Sequence, residues 1–235
     1  MRKLAKGDAP DVLVKNSDRW HAELAAILAR GEKPTESVKG RYRHAEIKNA
    51  LIAETHGKCA YCESKLRHVA HGDIEHIAPK SRVPSKAYDW NNLTLACDVC
   101  NENKGDYYSD DPVRSQDGLV DPYVDDPADH FLFMREVVVP RPDSLRAKAT
   151  EAVIKLSRAE LLERRRERMA FLDGLVQAYC LAGDQFKPML LNDIFENHLT
   201  EADEYYATSS AYIHELQTKG VIAPERVQLV AYLKD

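Results

Sequence analysis

The stretch "DIEHIAPKS" (residues 73–81) sets the carboxylate Glu75 beside the imidazole His76 and lies between two Cys-x-x-Cys pairs. Those pairs, Cys59 with Cys62 and Cys97 with Cys100, offer four thiolates from two tight turns, the donor set of one tetrahedral structural Zn2+. Such spacing in a cytosolic chain points to metal rather than to disulfides. The gap between the pairs is 34 residues, longer than in a simple zinc ribbon, so the insert must be a structured unit of its own. Within it, "GDIEHIAP" alternates as a short strand. Ile74 and His76 fall on one face, with Asp73, Glu75 and Ile77 on the other, and Pro79 supplies a stop. His68 and His71 read as solvent-exposed, because four thiolates already fill a zinc.

The elements around this insert are mostly helical. Residues 18–30 place Trp20, Leu24, Ile27 and Leu28 on one face, with Asp18 as N-cap and Gly31 beyond the end. A second helix is expected over 41–56, with Ile47, Ala50 and Leu51 inward and Gly57 closing it. The stretch 106–130 carries eight Asp and one Arg and reads as loops around a short strand at Leu119 and Val120. "FLFMREVVVP" (131–140) has strand composition. Two helices are expected over 144–182, the second capped by Ser157 with Glu160 completing a capping box, followed by helices over 188–198, 200–218 and 224–233. Cys180 reads as a buried core thiol, and "ERRRER" (163–168) as a solvated face with i,i+4 ion pairs, its alternative being nucleic-acid contact. The expected fold class is α+β, a small zinc-stapled ββα unit embedded in a mostly helical protein. Its divisions are 1–57 helical, 58–106 the metal unit, 107–143 loops with a short strand, and 144–235 a helical region suited to docking a partner.

No apolar run approaches the ~20 residues needed to cross a bilayer, and "MRKLAKGDAP" lacks the apolar core of a secretory signal. The expected location is the cytoplasm, with no membrane partner. The formal net charge is -5, which weighs against a general nucleic-acid coat. The charge is uneven, however: residues 141–168 hold nine basic and five acidic side chains, whereas 184–235 hold four and nine. That pattern permits a local polyanion-binding surface.

Five features recur in order at compatible spacing: Cys-x-x-Cys, Glu75-His76, Asn92 followed by Leu93, Cys-x-x-Cys with Asn101 directly after it, and Lys104. In this order the segment 59–104 resembles the HNH (ββα-metal) endonuclease family in its four-cysteine form. The resemblance implies phosphodiester hydrolysis with His76 as general base, and with Glu75 and Asn101 as protein ligands of a catalytic divalent cation, Mg2+ or another. Asn92 is implied to brace the loop that presents His76, Asn91 being its competitor for turn duty. Lys104 could hold a phosphate oxygen as a point charge, its alternative being a solvated surface lysine, and Lys80 is the second candidate for substrate contact. Where the family often has Asp, this chain has Glu75, one methylene longer.

Over a longer stretch, roughly 1–140, "MRKLAKGDAP", "ALIAETHGKCAYCESKL", "GDIEHIAPKS", "WNNLTLACDVCNENKGD" and "LVDPYVDDPADHFLF" together look like the PtuB-like HNH subunit of Septu-type anti-phage systems, also found beside certain retrons. This resemblance implies a defence nuclease working with an ABC/SMC-like (PtuA-like) ATPase, with DNA the expected substrate. A retron reverse transcriptase and its msDNA are further possible partners. An RNase acting on tRNA, and a catalytically silent zinc module that binds nucleic acid or a partner, are the alternatives. The chain has no Gly-x-x-x-x-Gly-Lys-Ser/Thr motif, so any ATP dependence must come through another subunit.

Overall fold

Pro10 decides where the first helix starts. A computed structural model describes residues 1–66, 72–109 and 118–223, and in it α1 (Asp11–Ala29) begins directly after this proline. Asp18, the expected N-cap, is an interior position of α1. A proline at a helix entrance loses no hydrogen bond, because the first N–H groups have no partner within the helix. Leu13, Trp20 and Leu24 form the buried face, while Leu28, expected to join them, is exposed. The second helix is also shorter than its apolar pattern. A 3-10 turn, Arg41–Arg43, precedes α3 (Ala45–Thr55), after a short α2 (Glu36–Lys39). His44 separates turn from helix, its Nδ1 accepting the Glu46 N–H at 3.3 Å. His56 and Gly57, with φ of 53° and 65°, close α3 in the left-handed region.

The expected ββα unit is present. β1 (Asp73–His76) and β2 (Leu93–Ala96) are antiparallel, with Glu75 opposite Thr94 and His76 opposite Leu93, and α4 (Asp98–Lys104) follows. Strands this short are marginal alone. They are stabilised by a shared core, in which Leu93, Leu95, Tyr88 and Trp90 pack with Leu13, Trp20 and Leu24 of α1 and Ile47 and Leu51 of α3. Beyond α5 (Pro127–His130), α6 (Leu145–Ile154) packs on α4, and Asn103 Nδ2 donates to the Ile154 carbonyl at 3.3 Å. Ser144 caps α6 by accepting the Ala147 N–H at 3.1 Å. The strand expected at Leu119 and Val120 does not form. The Val120 N–H is satisfied instead by Thr150 Oγ1 at 2.8 Å.

Residues 1–130 and 140–156 make up this first compact unit, and residues 131–139 with the described residues from Ser157 onward make up a second. The stretch 131–140 is not one strand but a hairpin of β3 (Phe131–Met134) and β4 (Val137–Pro140), because Arg135 turns the chain with φ 54°. In the second unit α7 (Ala159–Leu181), α8 (Lys187–Asn197) and α9 (Tyr206–Thr218) share a core of Met169, Leu172, Val176, Leu191, Ile194 and Ile213. Three expectations fail here for local reasons. Ser157 does not cap α7, since its hydroxyl donates to the Val138 carbonyl at 3.0 Å. Within "ERRRER", Arg165 belongs to the buried stripe of α7, with an i,i+3 pair of Arg164 and Glu167 on the exposed side. Cys180 is exposed, one position past Tyr179, the last buried residue of that stripe. Residues 200–205 form turns, so α9 starts later than expected, while His68, His71 and the helix expected over 224–233 lie outside the described residues. No helix among the described residues is long and apolar enough to cross a membrane.

Candidate active site

The four cysteines converge. Their sulfurs all lie within 4.8 Å of one another, and Cys62 Sγ is 3.8 Å from Cys97 Sγ. A tetrahedral site with zinc–sulfur bonds of about 2.3 Å needs sulfurs roughly 3.8 Å apart, so the donor set fits zinc. Backbone hydrogen bonds shape the first knuckle, where Cys59 N–H donates to Ser64 O at 3.0 Å and Glu63 N–H to Cys59 O at 2.9 Å. Ala60 N–H ties this knuckle to β2 through the Leu95 carbonyl at 2.9 Å. The second knuckle is the start of α4: Cys97 Sγ accepts the Cys100 N–H at 3.4 Å, so Asn101, next in the helix, is fixed by the cluster itself.

His76 ends β1 and is 3% exposed. Its Nε2 lies 3.0 Å from the Ala87 carbonyl, and the edge of its ring meets Tyr42 at 4.5 Å between centroids. A carbonyl only accepts, so Nε2 carries the hydrogen and Nδ1 keeps a lone pair. Burial lowers the His76 pKa to about 4, reinforced by the charges of Lys80 and Lys104 and opposed by the Ala87 contact. The imidazole is therefore neutral at pH 7, the state a general base needs. Beside it, Glu75 pairs with Lys104 Nζ at 2.6 Å. Burial nevertheless pushes the Glu75 carboxyl above its usual range, the Lys104 charge opposing the shift. Asn101 Nδ2 donates to Asp73 Oδ2 at 3.0 Å. Because a carboxylate cannot donate, the amide must present its NH2 to Asp73, which leaves Oδ1 as a hard oxygen donor. Asp73, Glu75, His76 and Asn101 line one cavity of about 360 Å3, together with Tyr42, Arg43, Lys48 and Lys80. Strand alternation alone would have separated Glu75 from His76. The bend after His76 and the approach of α4 bring both to the same space.

A ββα scaffold beside a four-cysteine cluster that fits zinc carries a neutral buried histidine in one cavity with an amide and two carboxylates. Residues 59–107 match the HNH endonuclease family. This segment is an HNH unit. Beyond it, the chain is 27% identical over 171 residues to a Septu protein PtuB of Bacillus mycoides (strain KBAB4), covering 57% of each chain. It is 30% identical over 117 residues to a Septu protein PtuB of Bacillus thuringiensis, covering 49% of this chain and 43% of the relative. The chain thus spans about half the length of the curated relatives it matches.

Within the HNH unit the two neighbouring asparagines have different environments. Asn92 is buried; its Oδ1 accepts the Ala78 N–H at 2.7 Å, and its Nδ2 donates to the carbonyls of Ala78 at 2.9 Å and Lys86 at 3.0 Å. Asn91 is exposed, and its N–H donates to Asp89 Oδ1 at 3.0 Å. Asn92 therefore spans the loop between His76 and Ala87, the residue whose carbonyl orients the imidazole. An Asn92→Ala chain is expected to be less stable by about 1–3 kcal/mol, the cost of leaving a buried backbone group unpartnered. Urea denaturation of the two proteins measures it, and an unchanged midpoint would contradict the assigned role.

Lys104 is not solvated, the alternative weighed from sequence. It is 3% exposed, and its ammonium also donates to the His76 carbonyl at 2.8 Å. A phosphate contact needs an ammonium at the surface, whereas this one neutralises Glu75 and pins the end of β1. Lys80, in contrast, is exposed at the cavity. Sequence reasoning named Asp73 only as a strand residue, although its i, i+2 spacing to Glu75 already put both carboxylates on one face. Tyr42, Arg43 and Lys48 carried no signal, because they reach the site from a distant part of the chain.

Proposed function

We propose that the protein is a metal-dependent endonuclease of an anti-phage defence system, cutting phosphodiester bonds of DNA. The observation that supports this reading most is the geometry at His76, a neutral imidazole whose Nε2 is committed to a carbonyl in a cavity shared with Asn101 and two carboxylates. In the reaction His76 Nδ1 takes the proton that a water loses as its oxygen adds to phosphorus and the 3′ oxygen departs. Asn101 Oδ1 and the Glu75 carboxylate would hold a divalent cation, with Asp73 fixing the amide. Mg2+ or a similar cation supplies charge neutralisation at the phosphoryl and leaving oxygens when bound. Lys104 keeps Glu75 in place behind them. The zinc serves the scaffold and takes no part in proton transfer.

The likeness to Septu PtuB proteins supports a place in that defence system and an ATPase partner. The second unit offers helical surface for such docking. The test is purified chain, alone and with the neighbouring ATPase, offered plasmid DNA and total tRNA with Mg2+ or Mn2+. Cation-dependent cutting of plasmid is the expected result. Cut tRNA beside intact plasmid overturns the DNA assignment, and binding with neither cut leaves a silent zinc module.

A further inference from the structure

Arg43, Lys48 and Lys80 line the same cavity as His76 and Asn101. Among the described residues none of the three has a carboxylate within 4.0 Å, unlike Lys6, Arg41, Lys104 and Arg146 of the same unit, which pair with Glu54, Glu23, Glu75 and Asp125. Arg43 Nε and Lys80 Nζ instead both donate to the Tyr42 hydroxyl, at 3.3 and 3.4 Å, and the Tyr42 ring abuts His76. The cavity's own carboxylates do not cancel this charge. Glu75 is neutralised by Lys104, and Asp73, which Arg43 also senses, is a single charge engaged with the Asn101 amide. Arg43 also senses Glu36, yet three cations against the single charge of Asp73 leave an excess of positive charge at this mouth, in a chain whose net charge is -5.

We propose that Arg43, Lys48 and Lys80 form a phosphate-binding rim that holds the nucleic-acid strand on either side of the bond to be cut. Two of its three cations come from the turn and helix that precede the HNH unit. The rim rests on the nuclease reading for its substrate, but its own content is that residues before 59 belong to the substrate groove. Arg43, from the 3-10 turn, and Lys80, from the loop after β1, are exposed, and Lys48 on α3 is half-buried. Tyr42 holds the two exposed cations at a fixed place beside the imidazole, so strand binding and base geometry share one support.

Each phosphate neutralised on duplex DNA contributes about 0.9 to the slope of log affinity against log salt. The test uses the zinc-loaded 235-residue His76→Ala chain, expected to bind without cutting, and a labelled DNA duplex titrated at several salt concentrations. Adding Arg43→Ala and Lys48→Ala is expected to weaken binding and lower that slope by roughly 2. The charge-conserving pair Arg43→Lys and Lys48→Arg keeps most of the slope, and Lys33→Ala, at an exposed lysine elsewhere, leaves it unchanged. Zinc content checks that each variant is folded. An unchanged slope in the double alanine variant overturns the rim, as does failure of the His76→Ala chain to bind duplex at all. Cleavage by the wild-type chain is scored separately. Cutting with an unchanged slope removes the rim and keeps the nuclease, while a reduced slope without any cutting does the reverse.

Discussion

Replacing Cys59 or Cys97 with serine is expected to abolish zinc binding and unfold the HNH unit. Among the described residues the regular structure there is slight, two four-residue strands, a seven-residue helix and two 3-10 turns. Four thiolates around one zinc supply an apparent binding free energy of roughly 10–16 kcal/mol in small zinc modules, comparable to the whole stability of an ordinary domain, about 5–15 kcal/mol. Cys97→Ser is the more informative change. Serine is a good N-cap, so its hydroxyl oxygen replaces Sγ as the cap of α4 and only the metal-binding thiolate is lost. Elemental analysis should show less than one zinc per chain, and hydrogen exchange should show protection falling in β1, β2 and α4. Protection in α1 and α3 should fall too, though less, because Leu93 and Leu95 complete their core. Cleavage should disappear with the zinc, since Asn101 directly follows Cys100 in α4. Cys180→Ser removes an exposed thiol and should change neither zinc content nor melting temperature. A Cys97→Ser chain with full zinc and full activity would contradict the clamp.

What could be read from the sequence was whatever depends on short spacing. The knuckles and the strand at Glu75 and His76 follow from residue types a few positions apart. The loop role of Asn92 came only as what the HNH resemblance implies, and its bonds to Ala78 and Lys86 join it to residues 14 and six positions away. Features set by tertiary contact were missed. The burial of Lys104 depends on the Glu75 carboxylate of β1 standing 2.6 Å from its ammonium, and that of Arg165 on its phase in the α7 stripe. The hairpin at 131–140 turns on the backbone conformation of Arg135, a residue type that gives no turn signal. The Asp73–Asn101 bond and the Tyr42 hub join residues 28 and 34 positions apart in sequence, and no local pattern encodes that meeting.

Mutation of His76 to alanine is expected to lower the cleavage rate by on the order of 10²–10⁴-fold, the usual effect of losing a general base. At 1.36 kcal/mol per factor of ten this corresponds to about 3–5 kcal/mol of barrier. The size follows from the lack of a substitute. Glu75 is committed to Lys104 at 2.6 Å and Asp73 to Asn101 at 3.0 Å, so neither carboxylate is placed to take over proton transfer. Fold and binding should survive, because β1 keeps its pairing with β2 and the Lys104 bond to residue 76 is made to the backbone carbonyl. Zinc content and affinity for nucleic acid are therefore the controls. His76→Gln provides a second variant with less lost volume should alanine destabilise the strand. The readout that separates a base from a merely structural histidine is chemical rescue. Free imidazole added to the alanine variant should restore part of the rate, following the fraction of imidazole that is unprotonated. Wild-type cleavage by a folded, zinc-bound His76→Ala chain would remove the proposed base and, with it, the reason for reading this cavity as hydrolytic.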